Sequence, residues 1–101
     1  MNTITPDELK AKLAANDDIQ LIDIREDYEF EDFNVGGINI PMDQVFESLD
    51  KINKSNPVYF ICRTGKKSAA ILHTLKRKLN LETGIYSVEG GITAFIEDTT
   101  A

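Results

Sequence analysis

One cysteine stands in the chain, and a run of cationic side chains follows it directly. After Cys62 come Arg63, Lys66 and Lys67, three of the chain's 11 basic residues within a five-residue segment. A single cysteine forms no internal disulfide, and together with the one histidine it makes no zinc-ligand set. The thiol of Cys62 is therefore either a packing group or a nucleophile, and the neighbouring cations favour the nucleophile.

The segments around Cys62 would hold its sulfur next to backbone N–H groups. An apolar run over residues 58–62 predicts a central strand covered on both faces. Cys62 lies at the carboxyl end of that strand, where ligands bind in open α/β sheets. The polar loop after it leads into a predicted helix, so loop N–H groups and the helix dipole create a positive potential that favours the nucleophilic thiolate. The same N–H groups would hold a negatively charged persulfide on that sulfur. In the alternative interpretation, Cys62 is a small buried apolar residue without chemistry.

Strand and helix patterns alternate along the rest of the chain. The first helix has a capping hydroxyl at Thr5, directly before Pro6. Apolar, β-branched runs predict strands over residues 19–24, 38–41, 58–62 and 85–88. Helical spacing predicts helices over residues 6–16, 28–33, 42–52, 69–79 and 92–96, with residues 97–101 frayed. This alternation predicts an α/β fold with a mainly parallel sheet, and the length fits a single domain over residues 1–101.

Charge and hydropathy exclude several kinds of partner. The 17 acidic and 11 basic side chains give a formal charge of −6, which repels nucleic acid and anionic membrane surfaces. The longest apolar run, residues 58–62, is far shorter than the roughly 20 residues that span a bilayer. Residues 1–6 have neither the basic nor the apolar region of a signal peptide. We therefore expect a cytoplasmic protein that binds neither nucleic acid nor membrane, with any anion site formed locally.

Four motifs, in order along nearly the whole chain, resemble those of the rhodanese-like domain, the single-domain type of sulfurtransferase. The first resembles the family's Asp-x-Arg-x-x-x-Glu pattern at the end of a core strand, with Asp23, Arg25 and Glu29 at its three positions. The others are Gly-Ile-Asn-Ile-Pro at residues 37–41, Cys-Arg-Thr-Gly-Lys-Lys-Ser at 62–68 and Glu-Gly-Gly-Ile-Thr-Ala-Phe at 89–95. The resemblance implies a three-layer α/β/α domain with a mainly parallel sheet of four or five strands flanked by helices.

The resemblance also implies a reaction, for which neither a metal nor another cofactor is needed. Cys62 would attack the outer sulfur of an anionic donor such as thiosulfate and become a persulfide. It would then pass that sulfur to cyanide or a cellular thiol, with a sulfur-relay protein as a further partner. Asp23, Arg25 and Glu29 are expected to brace the active loop from beneath. Substrate would be bound by the loop residues Arg63, Thr64, Gly65, Lys66, Lys67 and Ser68.

Two other functions stay open. A phosphatase or arsenate reductase of the same fold needs an arginine six positions after the cysteine, to clamp phosphate oxygens, and Ser68 occupies that position. A non-enzymatic binding or regulatory module would leave Cys62 without chemistry. One position also bears on the sulfur donor: Lys67 stands where many relatives have arginine. A lysine offers a point charge in place of the bidentate guanidinium, so the expected affinity for thiosulfate is lower.

Overall fold

Five parallel strands form the sheet of the protein, which a computed structural model describes over residues 3–15, 19–53, 55–79 and 84–100. In chain order they are β1 (Thr3–Ile4), β2 (Gln20–Asp23), β3 (Ile38–Asn39), β4 (Val58–Ile61) and β5 (Ile85–Val88). They lie in the order β1-β5-β4-β2-β3, and every pairing is parallel. The predicted parallel α/β sheet is confirmed, in its five-stranded form.

Helices cover both faces of the sheet. They are α1 (Pro6–Ala14), α2 (Asp27–Asp32), α3 (Lys66–Leu79) and α4 (Gly91–Thr100), with two 3₁₀ helices at Met42–Glu47 and Leu49–Lys51. One core cluster joins the sheet to α3 and the 3₁₀ segments, and a second joins the opposite face to α1 and α4. Thr5 caps α1 as predicted, since its Oγ1 accepts the N–H of Glu8 at 3.1 Å. The three-layer arrangement is thereby confirmed.

Strand β4 is the centre of the sheet and is buried along its whole length. Val58 and Phe60 belong to the core cluster on the α3 side, whereas Tyr59 and Ile61 belong to the cluster on the α1 and α4 side. This alternation is the two-residue period of a strand with apolar layers above and below. The continuous apolar run in the sequence therefore predicted the right element, and Cys62 continues its α3-facing side.

The segment predicted as one amphipathic helix over residues 42–52 is a pair of 3₁₀ helices, so that prediction is wrong. The apolar positions Met42 and Val45 are three residues apart, as are Leu49 and Ile52. A three-residue spacing falls on one line of a 3₁₀ helix, which has 3.0 residues per turn. Both pairs reach the core in this way, and Phe46, which the α-helical interpretation placed on the apolar face, is exposed.

The helix boundaries next to the cleft also differ from the prediction. Helix α3 begins at Lys66 rather than at residue 69, because Gly65 turns the chain sharply with φ +89° and its carbonyl already accepts the N–H of Ala69. Helix α2 ends at Asp32, and Phe33 is extended. These differences bring the first turn of α3 next to Cys62.

The two ends of the described chain contain more secondary structure than the sequence indicated. Helix α4 runs to Thr100 instead of ending at residue 96. Strand β1 was not predicted, because two residues carry too little periodicity. It pairs with β5 through Thr3 and Ile4, and Ile4 is buried. Residue 16, where the first helix was expected to end, lies outside the described residues, and α1 ends at Ala14.

Candidate active site

Cys62 follows β4 directly and lines an open cleft of about 440 Å³. The residue is only 2% exposed, yet it lines this cleft. Its position agrees with the general location of ligand sites in parallel sheets, beyond the carboxyl ends of the strands. The remaining lining residues are Ile24, Arg25, Glu26, Tyr28, Glu29, Met42, Arg63, Thr64, Lys66 and Lys67.

The sulfur of Cys62 accepts hydrogen bonds from the backbone of its own loop. The N–H of Gly65 lies 3.1 Å from Sγ, and the N–H of Ser68, in the first turn of α3, lies 3.5 Å away. The hydroxyl of Ser68 is also 3.5 Å from Sγ. N–H groups directed at one atom from a turn and a helix start favour negative charge on that atom. The loop thus provides the anion-stabilising geometry that the sequence predicted, through two specific amides.

Helix α4 holds the opposite side of the same loop. The N–H of Ile92 donates to the carbonyl of Cys62 at 2.9 Å, and the N–H of Thr93 donates to the carbonyl of Arg63 at 3.0 Å. The first N–H groups of a helix have no partner within the helix, so they are available for such contacts. Because α4 binds the carbonyl oxygens, the N–H groups later in the loop can face the sulfur.

Two glycines allow this close approach. A Cβ atom on Gly91, whose φ is +60°, would collide with the carbonyl oxygen of Cys62 and with the carbonyl group of Arg63. A Cβ on Gly65 would lie 2.9 Å from the nitrogen of Gly90, closer than real contacts allow. The role of Gly91 escaped the sequence analysis, which saw it only as part of the motif at residues 89–95.

The three cations of the loop do not share one environment. Lys66 and Lys67 line the cleft, are exposed, and form no ion pair with any described residue. Arg63 also lines the cleft and is largely exposed, but its guanidinium forms an ion pair with the carboxylate of Glu29 on α2. The two lysines are therefore the cations available to an anion in the cleft.

Glu29 lies in the wall of the cleft rather than beneath the loop, where the sequence analysis expected it. Burial opposes ionisation of its carboxyl group, but hydrogen bonds from Arg63 and from the N–H of Glu26, together with the charges of Arg63 and Arg25, outweigh burial. The net effect lowers the pKa of Glu29 below its ordinary value. A fixed negative charge therefore faces the cleft and holds the side chain of Arg63.

Asp23 and Arg25 form a buried ion pair next to the cleft. Asp23 Oδ1 accepts both the N–H and the Nε–H of Arg25 at 3.0 Å, and Oδ2 accepts from Nη2 at 2.9 Å. Arg25 Nη2 also donates to the carbonyl of Phe33 at 2.6 Å, beyond the end of α2. These bonds fix the segment that leads into and out of α2, which forms the cleft wall facing the Cys62 loop. If the Asp23–Arg25 pair supports that loop, it does so indirectly, by holding this wall in place.

A serine on β5, Ser87, was missed by the sequence analysis. Its Oγ lies 2.7 Å from Oγ of Ser68, and both residues are buried. Ser68 Oγ also donates to the carbonyl of Gly65 at 3.2 Å. The signal in the sequence is a small polar side chain at residue 87 within the strand that was predicted over residues 85–88.

Neither a metal centre nor a membrane-spanning element is found in the part of the chain that the structure describes. Over residues 3–15, 19–53, 55–79 and 84–100, no three His, Cys, Asp or Glu side chains come together as possible metal ligands. Within the same ranges, every helix is too short or too polar to cross a bilayer.

Comparisons with known proteins agree with the fold and with the motifs. The family model described as "Rhodanese-like domain" matches residues 5–98. The Bacillus subtilis protein named "Uncharacterized protein YqhL" is 36% identical over 92 residues, which cover 90% of this chain and 69% of YqhL. A second B. subtilis protein, named "Putative sulfurtransferase YtwF", is 31% identical over 87 residues, which cover 81% of this chain and 84% of YtwF. The crystal structure of a rhodanese-like domain protein from Staphylococcus aureus is 33% identical, with a TM-score of 0.82 over 94% of this chain and 91% of that one. The chain belongs to the rhodanese-like domain family.

Proposed function

We propose that this rhodanese-like domain transfers a sulfane sulfur through a persulfide on Cys62. The proposal is carried by one observation: Cys62 lines an open cleft, and its Sγ accepts N–H bonds from Gly65 and Ser68. Positive backbone charge at this point stabilises a thiolate before the transfer and a persulfide after it. The relative YtwF, which is named as a sulfurtransferase, supports the same class of reaction.

In the first half-reaction, the thiolate of Cys62 attacks the outer sulfur of a donor such as thiosulfate. A bond forms between Sγ and that sulfur, and the sulfur–sulfur bond of thiosulfate breaks. Sulfite leaves with the bonding electron pair. The product is an enzyme persulfide that carries one negative charge, so the total charge is conserved and no proton is transferred.

In the second half-reaction, cyanide or the thiolate of a cellular thiol attacks the outer sulfur of the persulfide. The bond to Sγ breaks, and Cys62 leaves as a thiolate, ready for the next cycle. The acceptor becomes thiocyanate or a new persulfide. Because donor and acceptor react at separate times with the same sulfur, the kinetics are ping-pong.

The side chains around the cleft supply the contacts for an anionic sulfur donor. Lys66 and Lys67 line the cleft, and no described carboxylate neutralises their positive charges. The N–H groups of residues 63–68 and the side chain of Thr64 add polar contacts. Arg63 is engaged by Glu29. We therefore assign the initial binding of the donor to the two lysines, with Arg63 as a secondary contact.

The two alternative functions have less support. Ser68, which stands where a phosphatase would need arginine, is fully buried with its hydroxyl bonded to Ser87. No guanidinium is therefore available at that position to clamp a phosphoryl group. A module that only binds a partner would not need N–H groups directed at a cysteine sulfur in an open cleft, so we rank sulfur transfer first.

The test is a sulfurtransferase assay with thiosulfate and cyanide on the wild-type protein and on Cys62→Ser. Wild type should form thiocyanate, and after incubation with thiosulfate alone it should gain the mass of one sulfur atom. Cys62→Ser should do neither while retaining the wild-type melting temperature. Hydrolysis of an aryl phosphate without any sulfur gain would replace the proposal with the phosphatase.

The cellular partners belong to the same proposal. Besides a small anionic donor and a thiol or cyanide acceptor, we propose that a sulfur-relay protein delivers or receives the persulfide sulfur. Tyr28, which lines the cleft and is 68% exposed, offers a larger partner an apolar contact next to the site. The cytoplasmic location and the single domain over residues 1–101 stay predictions from the sequence.

A further inference from the structure

A buried chain of two hydroxyl groups ends at the sulfur of Cys62. Ser87 Oγ lies 2.7 Å from Ser68 Oγ, which in turn lies 3.5 Å from Cys62 Sγ. Neither serine lines the cleft, so substrate does not reach them. We propose that Ser87 is a positioning residue, which fixes the hydroxyl of Ser68 as a hydrogen-bond donor to the anionic sulfur.

The environment of Ser87 is one that normally excludes a hydroxyl. Ser87 is 2% exposed and lies opposite Phe60 in the pairing of β4 with β5. Ile85, two residues earlier on the same face, packs in the apolar cluster beneath α3. A buried hydroxyl is unfavourable unless it is hydrogen-bonded. The contact with Ser68 supplies that bond, so Ser87 and Ser68 are to be understood as one unit.

Counting the protons of this unit shows when its bonds are complete. With a neutral thiol, the S–H of Cys62 can donate to Ser68 Oγ, and Ser68 then donates to the carbonyl of Gly65, 3.2 Å away, or to Ser87. With a thiolate, the sulfur has no proton to give. Ser68 turns its hydrogen to the sulfur, and its oxygen is free to accept the hydroxyl proton of Ser87. Because a thiolate is a stronger acceptor than a thiol, the donor chain from Ser87 through Ser68 to the sulfur is favoured in the anionic state.

A chain of aligned hydroxyls strengthens its terminal bond, because each donor is polarised by the one behind it. Loss of Ser87 should accordingly weaken the bond from Ser68 to the thiolate and leave the neutral thiol almost unaffected. The inference rests on the proposed function for its place in catalysis. Negative charge resides on Sγ before it attacks the sulfur donor and again when it leaves the persulfide. Both half-reactions should therefore slow in Ser87→Ala, with an unchanged KM for thiosulfate.

The test measures the thiolate directly, in the absence of any sulfur donor. Cys62 is the only cysteine, so its rate of alkylation by iodoacetamide is a single signal. For Ser87→Ala we expect the rate profile to shift to higher pH by on the order of half a pH unit, so that the alkylation rate on the rising, acidic limb of the profile is about threefold lower. Ser55→Ala, which removes an exposed hydroxyl, should match wild type. An unshifted profile for Ser87→Ala would overturn the inference.

A double-mutant cycle separates positioning from a general effect on the core. If Ser87 acts through Ser68, adding Ser87→Ala to Ser68→Ala should cause no further shift of the profile. Additive shifts would show that Ser87 acts by another route and would refute the inference. The result is independent of sulfur transfer: a wild-type protein that gains no sulfur from thiosulfate refutes the proposed function, while the alkylation profiles still decide the role of Ser87.

Discussion

The carboxylate of Glu29 should weaken the binding of an anionic sulfur donor, and Glu29→Gln tests this without disturbing the helix that carries it. Glu29 contributes one negative charge to the wall of the cleft and holds Arg63 in an ion pair. Its Oε1 also accepts the N–H of Glu26 at 3.2 Å, and the amide oxygen of glutamine can keep that bond. We expect the KM for thiosulfate to fall while kcat stays the same.

The size of the effect follows from the size of the cleft. A volume of about 440 Å³ corresponds to a sphere about 9 Å across, so a centred anion lies about 5 Å from the wall. A dianion and one carboxylate at that distance repel by about 1.7 kcal/mol in water, and physiological salt, with a screening length of about 8 Å, reduces this by about half. The remaining ~0.9 kcal/mol corresponds to a KM about fivefold lower in the variant. Release of Arg63 acts in the same direction.

The assay varies thiosulfate at saturating cyanide and constant ionic strength. Glu31→Gln is the matched control, because it changes the net charge by the same amount on the same helix but lies outside the cleft and is exposed. Its KM should equal that of wild type. The difference between the two variants should shrink as salt is raised.

Two results would refute this account of Glu29. An equal fall of KM in both variants would show that the charge of the whole chain, rather than the cleft wall, controls donor binding. A higher KM for Glu29→Gln alone would show that Glu29 assists binding, by holding Arg63 where the sulfur donor needs it.

Two further predictions concern backbone geometry and acid stability. Gly91→Ala should reduce kcat strongly, because its Cβ would displace the carbonyls of Cys62 and Arg63, and the left-handed φ adds a stability loss of about 1–2 kcal/mol. Gly36→Ala is the control, because Gly36 also has a positive φ, +105°, but its Cβ would have no neighbour within 4 Å. It should lose stability without losing kcat. Equal kcat values in the two variants would contradict the role of Gly91. Because the pKa of Glu29 is lowered in the folded protein, its ionised carboxylate stabilises the fold. This stabilisation is fully present above the ordinary glutamate pKa of about 4.3 and is lost as the pH falls through the lowered pKa. Urea unfolding of wild type and Glu29→Gln should therefore differ by less than ~1 kcal/mol at neutral pH and converge in acid, whereas a difference that grew in acid would reverse the sign.

The central part of the fold could be predicted because its signals are local. An uninterrupted apolar run is buried either as a strand with layers on both faces or as a buried helix. The run over residues 58–62 is short, which favoured the strand. The position of Cys62 at the end of that strand followed directly. In contrast, the 3₁₀ helices within residues 42–52 share their apolar spacing with an α-helix over so short a length, and only tertiary contacts distinguish the two.

The parts of the site that escaped prediction depend on contacts between distant segments. Glu29 and Arg63 are 34 residues apart, and Ser68 and Ser87 are 19 apart. Whether Glu29 lies beneath the loop or in the wall of the cleft depends on where α2 packs, which no local pattern encodes. Ser87 faces Ser68 because β5 pairs with β4 in a register that brings Ser87 beside Phe60. A shift of that register by one residue would have turned the hydroxyl to the other face of the sheet.

An acidic chain can bind an anion because the field that matters at the cleft is short-ranged. At physiological ionic strength, exposed charges beyond a screening length of about 8 Å contribute little, so most of the 17 carboxylates are not felt at the sulfur. The groups that are felt include the N–H groups of Gly65 and Ser68, the cations of the loop and the carboxylates of Glu26 and Glu29, which line the cleft. The loop backbone is held by hydrogen bonds from α4. Its N–H groups at the sulfur therefore contribute an electrostatic stabilisation that depends less on salt than that of the exposed lysines. For the proposed sulfur donor, we therefore expect a salt-dependent contribution to binding from the lysine side chains and a nearly salt-independent contribution from the amides at the sulfur.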